Sequence, residues 1–139
     1  MKIISFAWTT PALLAGEKTV TRREWSDDYA ARFRVGELVA AYDRNPRFKG
    51  RQVAVIRLTE KPVLQSTADA PDADWEREGF KYLQSIGARV NGHTPAALWE
   101  LWRHRGTAEE MYVVRFEVVR LVPPPPSAQA TLSLPGGAS

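Results

Sequence analysis

The segment from Gly16 to Arg23, GEKTVTRR, carries the most chemically capable group of side chains in the chain. It holds one lysine, two threonine hydroxyls and two arginines within six residues. Amine, hydroxyl and guanidinium donors in one short turn suit anionic or carbonyl oxygens, and Arg22 and Arg23 suit phosphate in particular. The same residues also suit a plain edge strand with a solvated charged face. From the residue types alone, both interpretations stay open.

A second group of cations follows in a loop. The cations are Arg44, Arg47, Lys49 and Arg51, with Phe48 between them and no acid among them. Such a loop suits a nucleic-acid backbone with one base stacked on the aromatic ring, and Tyr42 and Trp25 are further candidate stacking platforms. A charged loop tip beside ordinary core aromatics is the alternative.

Other kinds of site find little support. The chain has no cysteine, which excludes disulfides and thiolate chemistry. His93 and His104 are eleven residues apart without a metal-ligand spacing, so we expect no metal. The GEKT of residues 16–19 lacks the upstream glycine of a phosphate-binding P-loop. We therefore expect no cofactor.

Size and composition predict one globular domain. The chain has 139 residues, of which 44% are hydrophobic and 25% charged, and its net charge is +3. No apolar run is long enough to cross a bilayer, and the N-terminus does not resemble a secretory signal, so a cytoplasmic location is the expectation. The excess of positive charge permits a polyanionic partner without requiring one.

The periodicities predict a mixed α+β domain that positions these groups. Predicted strands cover 2–7, 18–25, 37–43, 51–59 and 111–122, and predicted helices cover 26–33, 72–86 and 94–105. A helical turn opens at Thr10-Pro11 and closes at Gly16. Because the strands are not separated by regular helical crossovers, we expect a small, mainly antiparallel β-barrel of about five or six strands with three or four inserted short helices. The domain covers 1–122, and the uncharged, proline-rich residues 123–139 are expected to form a disordered tail.

Four segments in order give the chain a resemblance to the ASCH family of PUA-like β-barrels. They are Leu14–Arg23 (LAGEKTVTRR), Val35-Gly36-Glu37, Glu76–Phe80 (EREGF) and the terminal strand Tyr112–Phe116. The Lys-Thr-x-Thr-x-Arg block is the most specific of them. The resemblance covers the whole predicted domain.

The resemblance implies a cleft beside the Lys-Thr-x-Thr segment that binds RNA or a nucleotide-like ligand. Small bacterial relatives are amidohydrolases that deacylate N4-acetylcytidine, and their catalytic residues match Lys18, Thr21 and Glu78. Another relative cleaves single-stranded RNA. In an amide hydrolase, Thr21 would be the nucleophile and Lys18 its base. Glu78 would protonate the leaving nitrogen or hydrogen-bond the base.

We expect Trp8 and Thr19 to contact the ligand in this cleft, together with Arg22 and Arg23. The candidate functions are binding of RNA or a modified nucleoside, hydrolysis of an N4-acylated cytidine, and a non-catalytic interaction module. Glu78 also suits a solvated helix position, paired with Lys81. Lys18 and Thr21 are three residues apart, so they converge only if Lys18 lies in the turn before the strand begins.

Overall fold

The computed structural model describes residues 1–125. Its strands are β1 (Ile3–Ser5), β2 (Val20–Arg23), β3 (Leu38–Tyr42), β4 (Gln52–Leu58), β5 (Val63–Ser66) and β6 (Glu110–Leu121). Its α-helices are α1 (Thr10–Leu14), α2 (Asp27–Ala30), α3 (Asp74–Arg77), α4 (Phe80–Ser85) and α5 (Pro95–Arg103). Short 3₁₀ turns cover Ala7–Thr9, Pro46–Phe48 and Thr67–Asp69.

One curled sheet forms a half-barrel in the order β1-β3-β4-β6-β2, with β5 also paired to β6. The long strand β6 makes this possible, because its first half pairs with β2 and β5 and its second half pairs with β4. All pairs are antiparallel except β1 with β3. The expected small α+β barrel, mainly antiparallel, is thus confirmed.

Two apolar clusters hold the fold together. The larger lies inside the sheet and includes Phe6, Phe33 and Phe116, with Trp25 packed against it. The smaller lies among the helices, where Phe80 and Leu83 are buried together with Ala12 from α1. Side chains of strand β2 line one cavity together with Phe6 of the larger cluster and Phe80 of the smaller. Side chains from this strand therefore meet helices that come much later in the sequence.

The predicted helix over 72–86 is two helices, because the chain turns at Gly79. Gly79 has a φ of +85°, a conformation that interrupts the helix and that glycine adopts without strain. Strand β5 was not predicted from the sequence. It is a short strand in which no side chain is buried, so it lacks the apolar alternation that marks a strand.

Strand β6 is the last regular element of the described residues. Residues 123–125 form no regular structure, and the rest of the predicted tail, 126–139, lies outside the described residues. Within residues 1–125, no helix combines the length and hydropathy needed to cross a bilayer.

Candidate functional site

Lys18 lies in the short connection between α1 and β2, before strand pairing starts at Val20. Gly16 makes this connection possible, because its φ of +75° turns the chain out of the helix. The amide of Thr19 then donates to the carbonyl of Arg77 (2.8 Å), which ties the connection to the end of α3. Lys18 therefore lies in the turn, as its convergence with Thr21 requires.

The Lys18 amine is buried and bonded to Glu78. Its side chain is 1% exposed, and its Nζ donates to the Glu78 Oε1 (2.8 Å) and to the Glu78 backbone carbonyl (2.9 Å). Glu78 is 1% exposed as a residue, so it is not the solvated helix residue paired with Lys81. Two residues sixty positions apart thus form one buried ion pair.

Arg22 extends this pair into a network of buried charges. Its Nη1 donates to the Glu78 Oε2 (2.7 Å), and its Nη2 donates to the Asp74 Oδ2 (2.6 Å). Arg115 on β6 reaches the same Asp74 carboxylate from the other side, at 3.1 and 3.0 Å. Both Glu78 oxygens and both Asp74 oxygens are therefore hydrogen-bonded to cations, and the network holds Glu78 in one orientation.

The environment shifts the acid–base properties of this network. Burial lowers the pKa of Lys18 below its usual value, and the adjacent Glu78 carboxylate opposes that shift only in part. Burial also lowers the pKa of Arg23. Burial alone would raise the pKa of Asp74, but hydrogen bonds from Arg115 and Arg22 outweigh it and hold that pKa below its usual value. A lysine with a lowered pKa is a better candidate for a proton acceptor than an exposed one.

Gly79 allows the segments that carry Lys18 and Glu78 to approach closely. A Cβ at position 79 would lie 2.5 Å from the Ala12 Cβ and 3.3 Å from the Lys18 Cβ. The three residues Glu78, Gly79 and Phe80 therefore act together: the carboxylate binds Lys18, the glycine permits the approach, and the phenylalanine is buried beside it.

A cavity of about 260 Å³ opens beside this network. Its lining residues include Lys18, Thr21, Arg22, Arg23 and Glu78 on a polar side and Phe80, Val90, Leu98 and Trp102 on an apolar side. The polar side comes from β2, from the connection that precedes it and from the α3–α4 turn. The apolar side belongs to the helical cluster or packs against it. The three residues matched to the amidohydrolases thus line one recess.

The segment from Ser5 to Thr9 completes the lining of the cavity. Ala7 has a φ of +43°, a conformation that costs a residue with a Cβ energy and is often found at binding sites. Trp8 is 60% exposed, so its ring lies at the mouth rather than in the interior. Arg23 reaches this segment, donating from Nη1 to the Ser5 carbonyl (2.9 Å). Trp8 is therefore a partly exposed part of the cavity lining.

The remaining candidate residues lie outside the cavity. Thr19 is exposed, and its backbone carbonyl accepts from Phe116 (2.9 Å). Trp25 stacks on Phe33 at 4.5 Å between ring centroids and belongs with the sheet cluster. Tyr42 ends β3, and the basic side chains that follow it are exposed at a loop: Arg44, Arg47 and Lys49, with Phe48 between them.

Several residues of the site could not be identified from the sequence. Asp74 lies four residues before Glu78, a spacing that places two acids on one helical face, but nothing local shows that they are buried. Arg115 alternates with apolar residues along β6 and therefore resembles a solvated strand position. Leu98 and Trp102 have the spacing of an ordinary core stripe. In residues 1–125, no group of three His, Asp or Glu side chains is arranged to hold a metal ion.

Comparisons of the chain with protein-family models, with curated proteins and with solved structures find no match. The resemblance to ASCH domains therefore stays a prediction.

Proposed function

We propose that the cavity takes up a single modified nucleoside, in the first place an N4-acylated cytidine, and hydrolyses its exocyclic amide. The observation that carries this proposal is that Lys18, Thr21 and Glu78 line one cavity although the chain separates them by up to sixty residues. The same three residues are the ones that match the catalytic residues of the amidohydrolases in the resemblance.

The reaction uses the Thr21 hydroxyl as nucleophile. Lys18 in its neutral form accepts the hydroxyl proton as Thr21 attacks the acyl carbon, and it returns that proton to the leaving nitrogen as the carbon–nitrogen bond breaks. Water then hydrolyses the ester on Thr21 and releases a carboxylic acid. Arg23, which also lines the cavity, supports the negative charge on the acyl oxygen.

Glu78 acts differently from the role that the resemblance first suggests. Its Oε1 accepts from Lys18 and its Oε2 accepts from Arg22, so it holds the amine in place rather than donating a proton. Glu78 is therefore a positioning residue in this proposal.

The size of the cavity favours a nucleoside over a polymer inside it. Pockets for drug-sized ligands enclose about 300–1,000 Å³, and this one measures about 260 Å³. One base with its acyl group fits that space, whereas several stacked nucleotides do not.

The test is incubation with N4-acetylcytidine while the ultraviolet absorbance of the acylated base is followed. Thr21→Val keeps the shape of the strand residue and removes the nucleophile, so we expect turnover to fall to background, at least about a hundredfold. Thr59→Val, an exposed position after β4, is the matched control and should retain full activity. Absence of turnover in the native chain, or equal turnover in Thr21→Val, contradicts the proposal.

A second candidate function is binding of single-stranded RNA by the basic loop at 44–51. The loop is well ordered: the Asn45 side chain accepts from the Arg47 amide (2.9 Å), and a Cβ on Gly50 would collide with the Arg44 carbonyl. Phe48 is 67% exposed between cations, which suits stacking of a base.

This loop begins next to the cavity. Ser5 pairs with Tyr42, and the Phe6 amide donates to the Tyr42 carbonyl (2.8 Å), so the cavity lining and the start of the loop are adjacent. Arg22 does not extend this surface, because its side chain is 1% exposed and bonded to carboxylates. This function is supported if the protein binds a short single-stranded RNA, if the affinity falls with added salt, and if Phe48→Ala weakens the binding. Binding unchanged in that variant contradicts it.

A further inference from the structure

The cavity is lined by more cations than carboxylates. The cations are Lys18, Arg22 and Arg23, and the lining carboxylate is Glu78; Lys18 pairs with Glu78, and Arg22 pairs with Glu78 and with Asp74. Arg23 is the cation left over, since its hydrogen bond within the described residues goes to the neutral Ser5 carbonyl. A half-buried cation without a counter-charge favours an anionic partner, so the site favours a negatively charged ligand.

The polar side of the cavity also has hydrogen-bond donors for such a ligand. The Nε of Arg22 is buried and has no hydrogen-bond partner among the described residues, although both Nη atoms of this guanidinium are bonded. Arg23 has further N–H groups besides the one bonded to Ser5. Both arginines line the cavity, so an oxyanion there can accept from two guanidinium groups.

The apolar side of the cavity indicates which chemical group the anion should carry. Phe80, Val90, Leu98 and Trp102 present apolar surface from the helical cluster toward the same cavity. Phosphate has no apolar part to bury against them. A carboxylate with a short hydrocarbon chain satisfies both walls, with oxygens at the arginines and carbons against the helices.

We infer that the cavity has a subsite for a short-chain aliphatic carboxylate, with its oxygens bound by Arg22 and Arg23 and its chain packed against Leu98 and Trp102. The inference rests on the proposed function, because such a carboxylate is the second product of the proposed amide hydrolysis. It adds that acyl groups longer than acetyl are accepted and that the released acid competes with the substrate.

The test needs no nucleoside. Calorimetric titration of the full chain with acetate, propionate and butyrate should give saturable one-to-one binding that strengthens by about fourfold for each added methylene group. Butyramide has the same chain without the charge and should not bind measurably. Phosphate at the same ionic strength should bind more weakly than butyrate. Equal affinity for acetate, butyrate and phosphate would overturn the inference in favour of an unspecific anion site.

Two pairs of variants locate the subsite. Arg23→Gln removes the charge of this side chain and most of its N–H donors, and it should weaken butyrate binding about tenfold or more. Arg57→Gln, an exposed position on β4, is its control and should change nothing. Leu98→Trp fills the apolar wall and should weaken butyrate about tenfold while leaving acetate within about threefold.

Leu101→Trp is the control for Leu98→Trp, because it lies on the same helix but is 39% exposed and outside the cavity. If both tryptophan variants behave alike, or if Arg23→Gln binds butyrate normally, the subsite is wrong. The two proposals can fail separately. Carboxylate binding without turnover leaves the subsite standing and removes the hydrolase, and turnover without carboxylate binding does the reverse.

Discussion

The protein has two groups of positive charge, and they differ in almost every physical respect. Beside the cavity, Lys18 and Arg22 are buried and bonded to carboxylates: their side chains are 1% exposed, and each bonds Glu78. The charges of the loop at 44–51 are exposed, and in the part of the chain that the structure describes no ion pair involves Arg44, Arg47 or Lys49. The first group is ordered by its partners, whereas the second is ordered by its backbone.

This difference assigns different chemistry to the two regions. In a buried site, charges interact strongly, are weakly screened and keep one geometry, which suits catalysis and recognition of a small ligand. Exposed cations interact weakly and are screened by salt, which suits a flexible polyanion. The two groups look alike in the sequence, and burial alone separates them.

The largest effect is expected from Glu78→Gln, which removes the counter-charge of the buried group. Lys18 and Arg22 then remain buried without that carboxylate, so the free energy of unfolding should fall by about 3–5 kcal/mol. Urea denaturation at pH 7 measures it. Glu117→Gln breaks the exposed pair with Arg57 and should cost less than about 1 kcal/mol. Similar losses in the two variants would show that burial does not distinguish the regions.

The next effect is expected from Gly79→Ala. The new methyl group would lie 2.5 Å from the Ala12 Cβ, and the positive φ adds strain, so we expect a loss of about 2–4 kcal/mol in the same denaturation experiment. Gly87→Ala is the matched control, because that glycine also has a positive φ but has no atom within 4 Å of the new group. It should lose only about 1 kcal/mol. A Gly79→Ala variant as stable as its control would mean that the close approach to Lys18 is not needed.

A smaller effect concerns acid stability. Hydrogen bonds from Arg115 and Arg22 hold the folded pKa of Asp74 below its usual value of 3.8, so its contribution to stability is complete above that pH and is lost as the pH falls through the folded pKa. Asp74→Asn should therefore lower stability at pH 7 by about 1.5–3 kcal/mol and reduce the further loss between pH 4 and pH 2. Denaturant midpoints at several pH values measure both. An unchanged acid response in the variant would show that another carboxylate dominates.

The smallest effect on stability is expected in the loop. Arg47→Ala should change the free energy of unfolding by less than about 0.5 kcal/mol, because the side chain is exposed. If the loop binds single-stranded RNA, the same change should reduce the slope of log affinity against log salt by about 0.7. Fluorescence titration of a labelled oligonucleotide at several salt concentrations measures that slope. A large loss of stability with no change in slope would reverse the comparison between the two regions.

A pH profile of turnover gives a further check on the buried group. Because burial lowers the pKa of Lys18, the neutral amine required as base forms at a lower pH than for a free lysine. The rate should rise with pH and level off below pH 10.5, the usual pKa of a lysine side chain. A rate independent of pH over this range would exclude Lys18 as the base.

The sequence by itself determined the local features of this protein. The Thr-Pro start and the glycine at its end predict α1, and the alternation along β6 predicts the long strand that the sheet is built on. These features depend on backbone preferences and on apolar periodicity over a few residues, and both are properties of a short stretch of sequence. The predicted strand over 18–25 includes Lys18, however, whereas strand pairing starts at Val20; Gly16 permits a turn there but does not decide it.

Only the tertiary structure decided which charges are buried and what they meet. Asp74, Glu78 and Arg115 have the sequence surroundings of solvated residues, and their roles depend on contacts between segments forty to sixty positions apart. The apolar side of the cavity likewise consists of residues whose sequence pattern predicts only an ordinary hydrophobic core. Burial and partner choice depend on how elements pack, and packing is a property of the whole chain rather than of any stretch within it.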